Sequence, residues 1–225
     1  MDRINIIGLG GIGSYLSEFI IRYVAHSPKK NSLISFVDGD EYETKNLNRQ
    51  IFTKGGKKAK SQKEKYEDNY SEMLFQDICS YVNEHNIEDI IKDGDITFVC
   101  VDNHKTRNII SNHAKKLNNC VIISGGNEYT DGNAQMYIRK DGIDITPSLT
   151  DYHPEILNYT DRSPEEMSCE ELSKSSPQLI FANITAAIQM CWLYYNMTND
   201  SVERSEVYFD GLTMCADSKN RKPKN

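Results

Sequence analysis

The chain has 225 residues, of which 38% are hydrophobic and 26% charged, enough to bury one sizeable core and too apolar for a disordered polymer. A net charge of −7 argues against general affinity for nucleic acid, and no apolar run approaches the length of a membrane span. The N-terminus runs straight into "RINIIGLGG" with no leader pattern, so the expected compartment is the cytoplasm.

"RINIIG" reads as a buried strand, and "GIGSYLSEFIIRYVAH" as a helix with Ile12, Leu16, Phe19, Ile20 and Val24 at helical spacing. "SLISFVD" is a second strand of parallel-sheet type, which completes a βαβ unit. A lysine-rich stretch, residues 53–65, continues as a helix to about Leu74, with a short strand around "QDICSYV" after it. "NIEDIIKDG" resembles a small helix stopped by Gly94. "DITFVCVD" is a strand, "HKTRNIISNHAKKLN" a helix and "NCVIISGG" another strand. After Gly126 the pattern turns antiparallel, with a hairpin at Asp141-Gly142. Residues 147–177 are polar, acidic and aperiodic and read as a long crossover loop. A strong helix follows with Pro177 in its first turn, then "SEVYFDG" as the last strand. The expected fold is a Rossmann-like doubly wound α/β sheet, parallel in its first half and with antiparallel strands in its C-terminal half. The expected organisation is one domain: a nucleotide-binding half over 1–126, a second half over 127–215, and a flexible basic tail over 216–225.

Gly8-x-Gly10-Gly11-x-Gly13 lies between a strand and a helix, where glycines allow backbone to approach phosphate and the helix N-terminus favours its charge. The motif alone does not separate NAD, FAD and ATP. Asp38 ends the second strand and suits ribose hydroxyls or a turn cap, and Asp40 could share either job. Asn46, Arg49 and Gln50 follow at once, where a triphosphate would extend. Arginine offers phosphate a planar fork, and NAD has no third phosphate to meet it, so these residues favour ATP. Lys58, with Lys60 as second candidate, could reach the phosphates as a point charge; the other lysines fit a solvated helix face. Asp102 ends an apolar strand at the ligand-binding mouth, where a carboxylate can hold Mg²⁺ against nucleotide phosphates or cap the next helix.

Together "GLGGIGS", "DGDEYETKNLNRQ", a glycine followed by lysine-alanine, and "VDNHKTRN" resemble the ThiF/MoeB adenylating enzymes, which include the enzymes that activate ubiquitin-like proteins. The specific motifs cover residues 4 to about 126. The resemblance implies ATP-dependent adenylation of the C-terminal glycine of a small ubiquitin-like β-grasp protein, giving an acyl-adenylate and pyrophosphate. It implies Gly11 in the phosphate loop, Asp38 on the ribose, Asn46, Arg49 and Lys58 on phosphates with Gln50 in support, and Asp102 on Mg²⁺. Cys169 stands eight residues before Pro177, where the family often keeps a cysteine that takes the acyl group as a thioester or joins a persulfide route. An unreactive loop cysteine is the alternative, since Glu170 and Glu171 oppose a low thiol pKa. None of the six cysteines forms a CxxC pair, so the family's structural zinc is not expected. A homodimer is the expected assembly, without the N-terminal arm that carries an arginine into a partner's site in many relatives. Competing expectations are an NAD(P)-dependent oxidoreductase and a non-catalytic nucleotide-binding scaffold.

Overall fold

The structure is a computed structural model that describes residues 1–161 and 179–224. In chain order its elements are β1 (Arg3–Ile7), α1 (Gly11–Ala25), β2 (Leu33–Val37), β3 (Glu41–Tyr42), a 3-10 turn (Thr44–Asn48), β4 (Gly56–Lys57), α2 (Lys58–Glu67), β5 (Leu74–Ile78), α3 (Ile87–Ile90) and β6 (Ile96–Val99). They continue with α4 (His104–Ala114), β7 (Cys120–Asn127), β8 (Asp131–Lys140), β9 (Ile143–Asp144), α5 (Pro154–Leu157), α6 (Ile180–Thr198), β10 (Glu206–Asp210) and β11 (Cys215–Lys219).

Among the described residues nine strands form one sheet, ordered β11-β10-β8-β7-β6-β1-β2-β5, with β9 pairing onto β8. β5, β2, β1, β6 and β7 run parallel. From β7 to β8, β10 and β11 the pairing is antiparallel. This is the doubly wound sheet with an antiparallel half that the residue pattern predicts. The strand order reverses between β1 and β6, the position at which open α/β sheets bind ligands.

Alternation along β1 shows why both faces need cover. Ile4 and Ile6 enter one apolar core with Leu16 and Ile20 of α1 and Ala186 and Met190 of α6. Ile7 enters a second core with Ile87 of α3, Ile110 of α4 and Ile156 of α5. Asn5 is also fully buried on β1, and its amide donates to Asp95 at 3.0 Å and Thr97 at 3.3 Å, so a polar residue sits in the central strand without an unmet donor. The hairpin turns where expected: Asp141 (φ 51°) and Gly142 (φ 76°) both take the left-handed conformation that a two-residue turn of this hand requires.

Two expectations shift. The helix after the lysine run ends at Glu67, and the strand is Leu74–Ile78 rather than a stretch centred on "QDICSYV". Pairing with β2 decides this register, because Phe75 then stacks on Phe36 with ring centroids 6.2 Å apart. An edge strand with half-exposed side chains leaves only a weak period in the sequence. The tail expected from residue 216 instead supplies β11, an exposed edge strand on β10.

Charges hold that edge. Glu206 is buried and is bonded by His153 and Arg221, while Arg221 lies over the Tyr152 ring at 4.3 Å. Burial alone would push the Glu206 carboxyl up, but His153, Tyr208 and Arg221 outweigh it and bring it down to about 2. Burial alone would lower His153, but Glu206 and Glu155 outweigh it and raise it above 6.5. Glu206 therefore contributes stability above about 4.5 that is lost as pH falls towards 2. His153 contributes stability below about 6.5 that is lost as pH rises through its raised value. Protection of β11 amides against hydrogen exchange, corrected for intrinsic rate, should peak between these limits, and Glu206→Gln should flatten that profile. An unchanged profile in the variant would separate β11 from this cluster.

Candidate nucleotide site

The site begins at the turn between β1 and α1. Gly8 has φ +86°, and a Cβ there would meet the Cys100 carbonyl at 2.9 Å, so only glycine fits where β1 passes β6. A Cβ on Gly13 would overlap the Gly8 carbonyl oxygen, so the turn closes on itself only with glycine at both ends. α1 opens with Gly10 as its N-cap and has no side-chain cap and no acid in its first turn. Its first N–H groups face the turn with the positive end of the helix dipole, an arrangement suited to phosphate.

The polar loop after β2 is fastened onto this turn. The Tyr42 hydroxyl donates to the Leu9 carbonyl at 3.0 Å, and the Ile51 N–H donates to Ser14 Oγ at 3.1 Å. Between them Gln50 is buried, with its amide nitrogen 3.9 Å from where a Gly10 Cβ would lie. Gln50 Oε1 is buried and has no hydrogen-bond partner among the described residues. Asn46 spends its Oδ1 on the Glu43 N–H at 3.0 Å, which fixes the start of the 3-10 turn. Arg49 closes that turn, half-buried, one residue before Gln50.

The acidic end of β2 meets α2 here. Asp38 accepts the Leu9 N–H at 2.6 Å and the Asp40 N–H at 2.8 Å, so it ties the strand end to the glycine turn. Burial pushes its carboxyl above the usual carboxylate range, with Lys58 opposing. Lys58 is buried, and its Nζ lies 3.0 Å from Asp40 and 4.0 Å from Asp38. Asp40 is more open and also accepts the Tyr81 hydroxyl. Burial would raise Asp40, but Lys58 and Tyr81 outweigh it and the net shift is downwards. Lys60, the alternative to Lys58, is exposed and faces Glu64 at 3.8 Å.

Asp102 follows β6, two residues past the Cys100 carbonyl that touches Gly8. The cap of α4 is not Asp102 but Asn103, whose Oδ1 accepts the Thr106 N–H at 2.8 Å. Asp161 adds to that cap by accepting the N–H groups of His104 and Lys105. Asp102 is exposed, and its negative charge acts on the buried Arg107 guanidinium. A hard, exposed carboxylate two residues along the chain from the Cys100 contact with Gly8 has the chemistry to suit Mg²⁺.

The structure thus gathers Gly8, Gly10, Gly11, Gly13, Asp38, Asp40, Gln50, Lys58 and Asp102 around one turn. Cys169 and Pro177 lie outside the described residues. Residue patterns missed Tyr42, Ser14, Gln62 and Tyr81. Gln62 donates to the Tyr42 hydroxyl at 2.7 Å and so supports the bond to Leu9. These contacts join residues far apart in the chain, and nothing in the local pattern marks them.

The sequence pattern of the ThiF family matches residues 1–217. No curated protein sequence matches the chain. Among solved structures, E. coli MccB with ATP has a TM-score of 0.74 at 17% identity, covering 98% of this chain and 64% of that one. E. coli MccB with MccA-N7isoASN gives 0.75 at 17%, covering 99% and 65%. PaaA, solved with selenomethionine, gives 0.71 at 12%, covering 98% and 64%. The chain therefore spans less than two thirds of the length of these structures, and the likeness is one of fold.

Proposed function

The chain belongs to the ThiF family, and on that premise we propose that it binds ATP and adenylates the C-terminal glycine carboxylate of a small ubiquitin-like protein. The carboxylate oxygen attacks the α-phosphorus, the bond to the β-phosphate oxygen breaks, and pyrophosphate leaves with the electron pair. One observation supports the reading: the loop bearing Arg49 is fastened to the glycine turn by Tyr42 and Ile51, which ties the segment of the arginine to the turn proposed for phosphate. A dinucleotide of the NAD type has no third phosphate for it. MccB, of similar fold, has been solved with ATP and with MccA, which supports a nucleotide and a small polypeptide as substrates.

In this reading the α1 N-terminus cradles phosphate, Asp38 and Asp40 face the ribose, and Arg49 and Lys58 hold phosphate charge. Asn46 and Gln50 keep that loop in place. Lys58 meets the phosphates by leaving or sharing its pair with Asp40. Asp102 would hold Mg²⁺, which when bound neutralises phosphate charge. Little acid–base chemistry is needed, because positioning and charge stabilisation carry phosphoryl and adenylyl transfer.

The decisive test has two steps. Calorimetry should show ATP with Mg²⁺ binding and NAD(P) not binding, and the reverse outcome would favour the oxidoreductase. Labelled pyrophosphate should then exchange into ATP only when an acceptor ending in glycine is present. Binding without exchange across such acceptors would leave a scaffold. A homodimer is part of the same proposal and is read by sedimentation at working concentration.

Thiol capture is separable from adenylation. Cys169→Ala should leave pyrophosphate exchange within about twofold, because a charge-positioning site does not use the thiol. The same variant should lose any acceptor adduct that survives detergent and is cleaved by reductant. The described cysteines nearest the turn are poor substitutes: burial pushes Cys100 up, and pushes Cys191 to about 12. Persistence of the adduct in Cys169→Ala would remove this cysteine from the mechanism.

A further inference from the structure

Asn183 lies in the first turn of α6 and is fully buried, yet among the described residues neither its Nδ2 nor its Oδ1 has a hydrogen-bond partner. A buried carboxamide with both ends unmet is rare and costly, and such groups mark a missing partner. Its surroundings say what kind. A Cβ on Gly11 would stand 2.5 Å from Asn183 Nδ2 and 2.8 Å from Oδ1, so the amide lies against the first residue of α1. α6 begins at Ile180 with Leu179 as its N-cap, and has neither a side-chain cap nor an acid in its first turn. Two long helices, of 15 and 19 residues, therefore bring uncapped N-termini together with an unpaired amide between them. Both dipoles and the amide N–H groups favour the same occupant, an anion.

We propose that Asn183 is a nucleotide-binding residue that donates its Nδ2–H to a phosphoryl oxygen lodged at Gly11, so that α6 reads occupancy of the glycine turn. The amide is fully covered by its neighbours. Engagement therefore turns the amide or shifts the first turn of α6. Asn183 couples the phosphate turn to the crossover half of the chain. The inference rests on the ATP reading above and adds a residue that the motif search does not find.

The test uses the full chain with Asn183→Leu, which keeps the shape and removes the amide, and Asn183→Ala. Affinities for ATP with Mg²⁺, AMP and adenosine are measured by calorimetry, and unfolding midpoints with and without ATP. Loss of a hydrogen bond to a charged oxygen should weaken ATP and AMP by about tenfold or more and leave adenosine unchanged. The ligand-free Leu protein should melt no lower than the wild type, because an unmet buried amide has been replaced by an apolar group of like shape. Unchanged ATP affinity in both variants overturns the proposal and makes Asn183 a packing residue. So does equal weakening of adenosine, or failure of both variants to fold, since the amide would then serve the fold itself. If the wild type binds no ATP, the functional reading fails first, and this inference falls with it.

Discussion

Arg49→Ala is expected to lower acceptor-dependent pyrophosphate exchange by about a hundredfold or more, the scale of one lost donor to developing transition-state charge. The fold should tolerate the change. Arg49 ends the 3-10 turn with φ −146° and ψ −3°, values open to alanine without left-handed strain. The turn is held by backbone and by Asn46: the Arg49 and Gln50 N–H groups donate to the Asn46 carbonyl at 3.1 and 2.9 Å. Arg49→Lys separates charge from shape, because an ammonium keeps the charge and loses the planar fork. It should recover part of the exchange and leave a raised requirement for ATP. Near-normal exchange in Arg49→Ala, with an unchanged unfolding midpoint, would remove this residue from the chemistry and with it the main ground for a triphosphate.

Asp102→Ala should abolish exchange outright while the protein stays folded. The cap of α4 does not depend on Asp102, since Asn103 and Asp161 supply it. Loss of activity in this variant therefore does not report a frayed helix. Asp102→Asn keeps size and polarity and loses the anionic ligand, so the magnesium concentration for half-maximal exchange should rise by about tenfold or more. Normal rates at normal magnesium in Asp102→Asn would leave this carboxylate without a role in the metal reading.

Much of the parallel half was legible because its signals are local. Apolar runs ending in Asp38 and Asp102 mark strand ends, and Gly8 to Gly13 mark the turn, all within short windows. Asp141-Gly142 is a two-residue code for a hairpin and reads the same way. β5 was misplaced because a half-exposed edge strand has little period, and its register comes from β2. β11 was missed because "CADSK" carries no strand pattern; it pairs as a ladder partner of β10, held by Glu206 and Arg221. At the site, Arg49 and Lys58 stood out as charges in a motif. Tyr42, Gln62 and Asn183 act through burial and contact with backbone, which residue type alone does not disclose.

The cover that α6 provides has a consequence for how the chain reaches its final state. Ala182, Ala186, Met190 and Leu193 close the core over Ile4, Ile6 and Leu16, and Asn183 closes on Gly11. During synthesis the glycine turn emerges well before this helix. The nascent protein must therefore carry an open apolar sheet face until α6 emerges, and the glycine turn is walled only then. Such a chain is exposed to off-pathway association while it waits. Nucleotide would bind the finished form and not the waiting one, so ATP in the cell would also act as a folding ligand, drawing late intermediates forward by mass action.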